Sequence, residues 1–108
     1  MIKQIVSLSF ASLLSVAAQA QCPQPAVKVA GVVTSVRTEK VDQALYSCYI
    51  QLAVTETEDK SCAEKASRAA TQEAFAGEFK CEEAYSVGSS VVGTLLFTRD
   101  GNLFFSAQ

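Results

Sequence analysis

Four cysteines constrain what this chain can fold into more than any other feature of its sequence. They are Cys22, Cys48, Cys62 and Cys81. An even number of cysteines in a small protein that reaches an oxidising compartment predicts a disulfide framework. A four-cysteine zinc site is the alternative, but such sites usually contain closely spaced cysteine pairs, and this sequence has no C-x-x-C motif. We therefore expect two disulfides and no metal site.

The N-terminal segment indicates that the chain is exported. Lys3 gives a positive start, residues 5–18 are uncharged and largely apolar, and Ala18-Gln19-Ala20 matches an A-x-A cleavage site. This pattern predicts a secretory signal peptide over residues 1–20 and one small domain over residues 21–108. A transmembrane anchor is disfavoured because the apolar run is shorter than the roughly 20 residues that span a bilayer. We expect a periplasmic or secreted protein that is not inserted in the membrane after cleavage.

Charge and composition exclude several functions. The chain has 9 basic and 11 acidic residues, a formal net charge of −2 and no histidine. Without a basic cluster, binding to nucleic acid or to an anionic membrane has no electrostatic support. Histidine is the usual general base, so a Ser–His–Asp or Cys–His site cannot form within one chain. The acidic clusters at 56–59 and 82–83 lie in predicted turns, which rarely hold two carboxylates facing across a cleft. We expect neither an enzyme nor a cofactor.

The segment from Leu45 to Thr55 alternates between apolar and other side chains. A period of two is typical of a strand with one buried face. We therefore expect a strand that carries a cysteine on its buried side. The residues predicted to point into the core are Tyr46, Cys48, Ile50, Leu52 and Val54.

An earlier strand is predicted over Val27 to Arg37, which is rich in β-branched residues. The apolar residues occupy odd positions before Gly31, as at Val29, and even positions after it, as at Val32. A glycine at such a change is typical of a bulge or a sharp bend, as in strongly coiled sheets. A plain strand that is buried on both faces is the alternative.

One helix is predicted to begin at Ser61 and to end at Gly77. Ser61 and Glu64 have the spacing of a capping box, in which each side chain bonds the backbone of the other residue. Gly77 is a suitable stop residue. The apolar arc of this helix is almost entirely alanine, so the helix should lie close against the sheet.

A hairpin is predicted at the end of the sequence. Asp100-Gly101 stands between two β-rich runs, 91–98 and 102–108, which is a strong hairpin signal. A two-residue loop would pair Phe97 with Phe104, and Leu96 with Phe105, so that both faces of the hairpin would be apolar. One face belongs to the core, and the other is a candidate interaction surface. The residues proposed for that surface are Phe97, Leu103, Phe104 and Phe105.

Chain geometry ranks the three possible disulfide pairings. A helix from Cys62 to Gly77 would be about 22 Å long, and the four residues to Cys81 can return at most roughly 14 Å. The remaining 8 Å or so exceeds the usual Cα separation in a disulfide, which disfavours Cys62–Cys81. A Cys48–Cys62 bond would need the chain to retrace almost the whole second strand. The expected pairs are therefore Cys22–Cys62 and Cys48–Cys81.

The predicted elements follow the order β-β-α-β-β, which is an α+β class. Two architectures fit this order equally well. One is a small antiparallel sheet with the alanine-rich helix across it, and the other is an OB-like, partly open barrel of four or five strands. For function, we expect a small exported, non-catalytic binding or interaction protein, whose partner is another protein or a second copy of itself. The alternative is an envelope inhibitor or toxin-neutralising protein that acts through its acidic loops.

Overall fold

The structure, a computed structural model, describes residues 22–108. The predicted signal peptide, residues 1–20, lies outside the described residues. Five strands close into a barrel in the order β1-β2-β3-β5-β4. The strands are β1 (Ala26–Asp42), β2 (Leu45–Thr57), β3 (Ala74–Gly77), β4 (Ser90–Phe97) and β5 (Leu103–Ala107).

The long first strand makes the barrel possible. β1 pairs with β2 along most of its length and with β4 through its first half, and both pairings are antiparallel. The β2–β3 and β4–β5 pairings are antiparallel as well. The β3–β5 pairing is parallel and closes the cylinder. This is the OB-like barrel expected from the order of the elements, and it is closed. The predicted fold class is therefore confirmed.

The alternation in β2 produces the centre of the core. Cys48, Ile50 and Leu52 are all fully buried, as their spacing predicted. Residues from every strand and from the helical segment join them in one hydrophobic cluster. Its largest members from the other elements are Val33, Leu95, Phe97, Leu103 and Phe105.

The bulge predicted at Gly31 is present. The register between β1 and β2 shifts between Ala30 and Gly31. A Cβ atom at Gly31 would lie 2.7 Å from the carbonyl oxygen of Ala53, so the close approach of the two backbones requires glycine. The inward face does not change at this point, however. It continues to Val33 and changes at the next register shift, between Val33 and Ser35.

The predicted helix is wrong over its second half. The chain forms a 3₁₀ turn at Lys60–Cys62, a short helix α1 at Ala63–Ala66 and a second 3₁₀ turn at Ser67–Ala70. Residues Ala74–Gly77 form strand β3 instead. Alanine has the highest helix propensity, but propensity differences are small. The tertiary structure overrides them here because this segment fills the gap between β2 and β5.

The N-terminal cap also differs from the predicted capping box. The capping residue is Asp59, whose Oδ1 accepts hydrogen bonds from the backbone N–H of Ser61 at 3.0 Å and from its hydroxyl at 2.7 Å. Ser61 therefore donates to the cap and is not itself the capping residue. An aspartate at this position satisfies an N–H group that has no partner within the helical turn.

Both predicted disulfides are present. Cys22 is bonded to Cys62 with a Cα separation of 5.1 Å, and Cys48 to Cys81 with a separation of 4.9 Å. The pairing is right although the helix assumed in its prediction is too long. After the helical segment ends, β3 runs beside β2 and places Gly77 opposite Cys48, which brings Cys81 to the same place.

The hairpin forms, but its register differs by one residue from the prediction. Phe97 pairs with Leu103, and Leu96 with Phe104. The backbone N–H of Thr98 donates to the carbonyl of Asn102 at 3.1 Å, so the loop consists of the three residues 99–101. Gly101, the last of them, has a φ of 86° and is in the left-handed conformation. Three-residue loops of this kind place glycine at their left-handed position.

Candidate functional site

The register of the hairpin decides which of the predicted surface residues are accessible. Phe97, Leu103 and Phe105 point into the barrel and are 7%, 3% and 3% exposed. They belong to the core, so they are not available to a partner in the folded protein. Of the four residues proposed from the sequence, only Phe104 lies on the outside, because it alternates with two buried neighbours.

Phe104 is part of a row of aromatic side chains on the outer surface of the barrel. Tyr49 on β2 pairs with Phe75 on β3, which pairs with Phe104 on β5. The ring centroids are 5.7 Å apart in the first pair and 5.8 Å in the second, and both pairs pack edge to face. We call Tyr49, Phe75 and Phe104 the aromatic row. All three are only half-buried.

An ion pair lies at the β1 end of the aromatic row. Arg37 is opposite Tyr49 in the β1–β2 pairing, and its guanidinium carbon is 4.4 Å from the centre of the Tyr49 ring. Its Nε donates to Glu73 Oε2 and its Nη2 to Glu73 Oε1, each at 2.9 Å. Its Nη1 donates to Glu39 at 3.0 Å. Arg37 thus connects the aromatic row to a carboxylate held in a bidentate geometry.

The ion pair shifts the titration of both partners. The hydrogen bonds from Arg37 hold the pKa of the Glu73 carboxyl below its ordinary value, and this effect exceeds the opposing effect of partial burial. Hydrogen bonds to Glu73 and then to Glu39 raise the pKa of Arg37. Glu73 is therefore ionised at neutral pH, and its charge is balanced by Arg37.

Two grooves flank the Phe75–Phe104 contact, since both residues line each of them. The apolar groove has a volume of 460 Å³ and is lined further by Ala76, Leu96 and Ser106. The polar groove has a volume of 320 Å³. Its other lining residues include Tyr49, Gln72, Glu73 and Asn102.

The polar side chains of the second groove differ in how firmly they are held. Gln72 donates through Nε2 to the carbonyl of Gly101 at 2.5 Å and accepts from Arg68 Nη2 at 2.9 Å. Glu73 is held by Arg37. Asn102 is exposed. Its backbone N–H donates to Thr98 Oγ1 at 3.0 Å, and its side-chain amide has no hydrogen-bond partner among residues 22–108. Gln72 and Glu73 are thus fixed in position, whereas the Asn102 side chain is not.

The acidic turn predicted at 56–59 begins later in the structure, because Glu56 and Thr57 are the last residues of β2. The segment has a partly structural role. Asp59 is the helix cap, and hydrogen bonds from the Ser61 hydroxyl and then from its backbone N–H lower the pKa of Asp59. Glu56 and Glu58 remain exposed. Within residues 22–108, no group of three histidine, cysteine or acidic side chains is placed to hold a metal ion.

Sequence reasoning missed most of this face. Tyr49 could have been identified, because it stands between the inward positions 48 and 50 and must point outward. Phe75 could not, because its segment was predicted as helix and a strand of four residues carries little periodicity. The partnership of Arg37 and Glu73 has no local signal, since the two residues are 36 positions apart.

No known protein-family model matches the chain, and no curated protein or solved structure shows significant similarity to it. In the stretch from residue 22 to residue 108, no helix is long and apolar enough to cross a membrane.

Proposed function

We propose that this protein is a small exported, non-catalytic binding module whose ligand face is the aromatic row with its flanking Arg37–Glu73 pair. The observation that carries the proposal is the contact of three large aromatic side chains on the outside of the barrel. Aromatic rings contribute most when they are buried, and tyrosine is enriched where proteins bind partners. A contiguous cluster of half-buried aromatic rings at the surface is typical of a binding site.

The position of the row within the barrel gives independent support. Tyr49 and Phe75 lie on the second and third strands. In OB-type barrels, the face of these two strands is the common ligand-binding surface. The comparison with OB-type barrels is an analogy between folds. It bears on where the site lies and not on what it binds, because one fold serves many functions.

The proposal of a non-catalytic role is supported by residue chemistry. The sequence contains no histidine, so the most common general base is missing. Glu73, the one carboxylate that lines the polar groove, is held ionised by Arg37, which makes it a poor proton donor or acceptor at neutral pH. Export is supported by the two disulfides, which persist in oxidising compartments.

A ligand screen by NMR tests the proposed face. We would record amide spectra of the ¹⁵N-labelled protein against a library of metabolites, short peptides and nucleotides. The expected result is that the ligands that bind shift resonances around Tyr49, Phe75 and Phe104. Phe104→Ala should weaken such binding, whereas Val92→Ala, which removes an exposed side chain on another strand, should not. Shifts that cluster away from the row would contradict the proposal.

A second candidate is an envelope inhibitor that acts through the acidic turn. It is favoured by Glu56 and Glu58, which stay exposed although Asp59 is used as the helix cap. These carboxylates would face a basic surface on the target. The charge-reversing variant Glu56→Lys/Glu58→Lys should abolish capture of such a target from envelope extract, whereas Phe104→Ala should leave it intact. The opposite pattern would assign the target to the aromatic row.

A further inference from the structure

We propose that the polar groove binds an uncharged sugar ring, so that the protein recognises a neutral saccharide. This inference rests on the proposed function, since it specifies the ligand of the aromatic row. The size of the groove fits such a ligand. The groove has a volume of 320 Å³, which lies at the lower end of the roughly 300–1,000 Å³ range of small-ligand pockets. That volume suits one ring of an oligosaccharide rather than a large folded surface.

The groove is lined by a mixture of aromatic and polar surfaces. Phe75, Phe104 and Tyr49 provide aromatic walls, and Gln72, Glu73 and Asn102 provide polar groups at the same opening. A sugar ring has the matching character, because its C–H groups form apolar faces and its hydroxyl groups project around the edge. Aromatic rings pack against such C–H faces, which carry the slight positive charge that the ring face attracts.

The polar side chains of the groove keep unused hydrogen-bond donors and acceptors. The Gln72 amide has a second N–H besides the one that it gives to Gly101. Glu73 Oε2 accepts a single hydrogen bond within the described residues, from Arg37 Nε, and the side-chain amide of Asn102 has no partner among them. The groove thus offers both donors and acceptors. A hydroxyl group is both a donor and an acceptor, so neighbouring hydroxyls of a sugar can satisfy this set.

The fixed positions of these groups favour a specific ligand. Arg68 and the Gly101 carbonyl orient Gln72, and Arg37 orients Glu73 through two hydrogen bonds of 2.9 Å. Side chains that are ordered before binding lose less conformational entropy when the ligand arrives. The groove is therefore prepared for hydrogen bonds of defined direction, as a polyhydroxylated ring requires.

Charge disfavours the other ligand classes. The one charged side chain that lines the groove is Glu73, and Arg37 balances it. A phosphate, sulfate or carboxylate on the ligand would meet this carboxylate, and the two arginines that border the groove already bind its lining side chains, Arg37 to Glu73 and Arg68 to Gln72. A cationic ligand would compete with Arg37 for a partner already engaged in a bidentate pair. An uncharged ligand meets neither obstacle.

The test uses the disulfide-bonded protein and four neutral oligosaccharides, namely the hexamers of cellulose, starch, mannan and chitin. Each is titrated at up to millimolar concentration while the side-chain amide resonances of Gln72 and Asn102 are followed by NMR. We expect at least one of them to bind and to shift both amides. High salt should leave the affinity unchanged, because the ligand is uncharged.

Variants then assign the binding to the groove. Phe75→Ala should weaken binding by about tenfold or more, the loss expected for an aromatic anchor. Asn102→Ala should also weaken it, and this exposed side chain can be removed without cost to the fold. Val92→Ala is the matched control and should bind as the original protein does. Circular dichroism confirms that each variant is folded.

Failure of this inference is distinguishable from failure of the proposed function. If none of the four saccharides binds, or if Asn102→Ala and Phe75→Ala both bind them unchanged, the sugar assignment is overturned. If a peptide or nucleotide shifts the aromatic row while the saccharides do not, the sugar assignment falls and the binding face stands. If every ligand acts elsewhere on the barrel, both are wrong.

Discussion

At the scale of single residues, the barrel depends on one glycine in β4. A Cβ atom at Gly93 would clash with the carbonyl oxygen of Ser106 and would lie 2.6 Å from a ring carbon of Phe105. Phe105 is buried and occupies the space that a side chain at Gly93 would need. The backbone of β5 cannot move away because it is paired with β4 on this side.

We therefore expect Gly93→Ala to destabilise the protein by about 1–3 kcal/mol, as overpacking of a well-filled core does. The control is Val92→Ala at the neighbouring position, which is 53% exposed and should change stability by no more than about 0.5 kcal/mol. Urea unfolding of the two variants measures the difference. Equal stabilities would mean that Phe105 does not pack over Gly93.

The Arg37–Glu73 pair gives the protein a defined response to acid. The pKa of Glu73 in the folded protein lies below its ordinary value of 4.5. The folded state therefore binds this proton less readily than the unfolded state. The contribution of the pair to stability is complete above a pH of about 4.5 and is lost as the pH falls through the lower folded pKa.

Glu73→Gln should remove this part of the acid response. We expect the free energy of unfolding of the variant to fall less than that of the original protein between about pH 7 and about pH 3. Glu78→Gln is the control, because Glu78 is exposed and belongs to neither ion pair of the described residues. Unfolding by urea at a series of pH values measures the slopes. Parallel slopes for all three proteins would contradict the role given to Arg37.

At the scale of elements, β2 and β3 show what local sequence can specify. β2 was predicted because its period of two extends over many residues. Cys48, Ile50 and Leu52 are buried as predicted, whereas Tyr46 and Val54 at the two ends are only half-buried and Ser47, predicted to point outward, is buried. β3 has four residues and follows an alanine-rich segment, so its local pattern favours a helix. Its conformation is decided by the open position between β2 and β5, which no local pattern contains. For the same reason Phe75 was missing from the predicted site.

The hairpin of β4 and β5 offers a matched pair of substitutions. Leu95 and Leu96 are adjacent, but Leu95 is completely buried and Leu96 is 41% exposed. We expect Leu95→Ala to cost about 2–5 kcal/mol, as other deletions of a buried leucine side chain do. Leu96→Ala should cost less than about 1 kcal/mol. Denaturant unfolding of both variants measures the difference, and equal losses of stability would contradict the burial of Leu95 on the inner face of β4.

At the scale of the whole molecule, the two disulfides enclose overlapping segments. Cys22–Cys62 closes one loop and Cys48–Cys81 closes the other, so the residues from 48 to 62 belong to both. The second half of β2 is thus covalently restrained on either side. The pairing could be predicted because it depends only on how far the chain can reach. The closed barrel could be predicted only as one of two architectures, because closure requires β3.

Removing either bond should destabilise the protein by about 4 kcal/mol through the entropy of the unfolded chain. Cys48→Ala/Cys81→Ala should cost more than Cys22→Ala/Cys62→Ala, because both Cys48 and Cys81 are buried whereas Cys22 is only half-buried. Thermal and urea unfolding of the two double variants test this order.

Peptide mapping of the intact protein without reduction should recover only the two stated pairs, and a peptide that joins Cys48 to Cys62 would refute them.

The closure of the barrel has a consequence for its internal motion. β3 and β5 are joined at a single residue pair, Phe75 and Phe104, while every other neighbouring pair of strands shares a longer ladder. Local opening occurs where the fewest backbone hydrogen bonds must break. Amide hydrogens of β3 should therefore exchange with deuterium sooner than those of β1 and β2. Because Phe75 and Phe104 also form the proposed ligand face, a bound ligand should hold this seam together and slow exchange in β3 first.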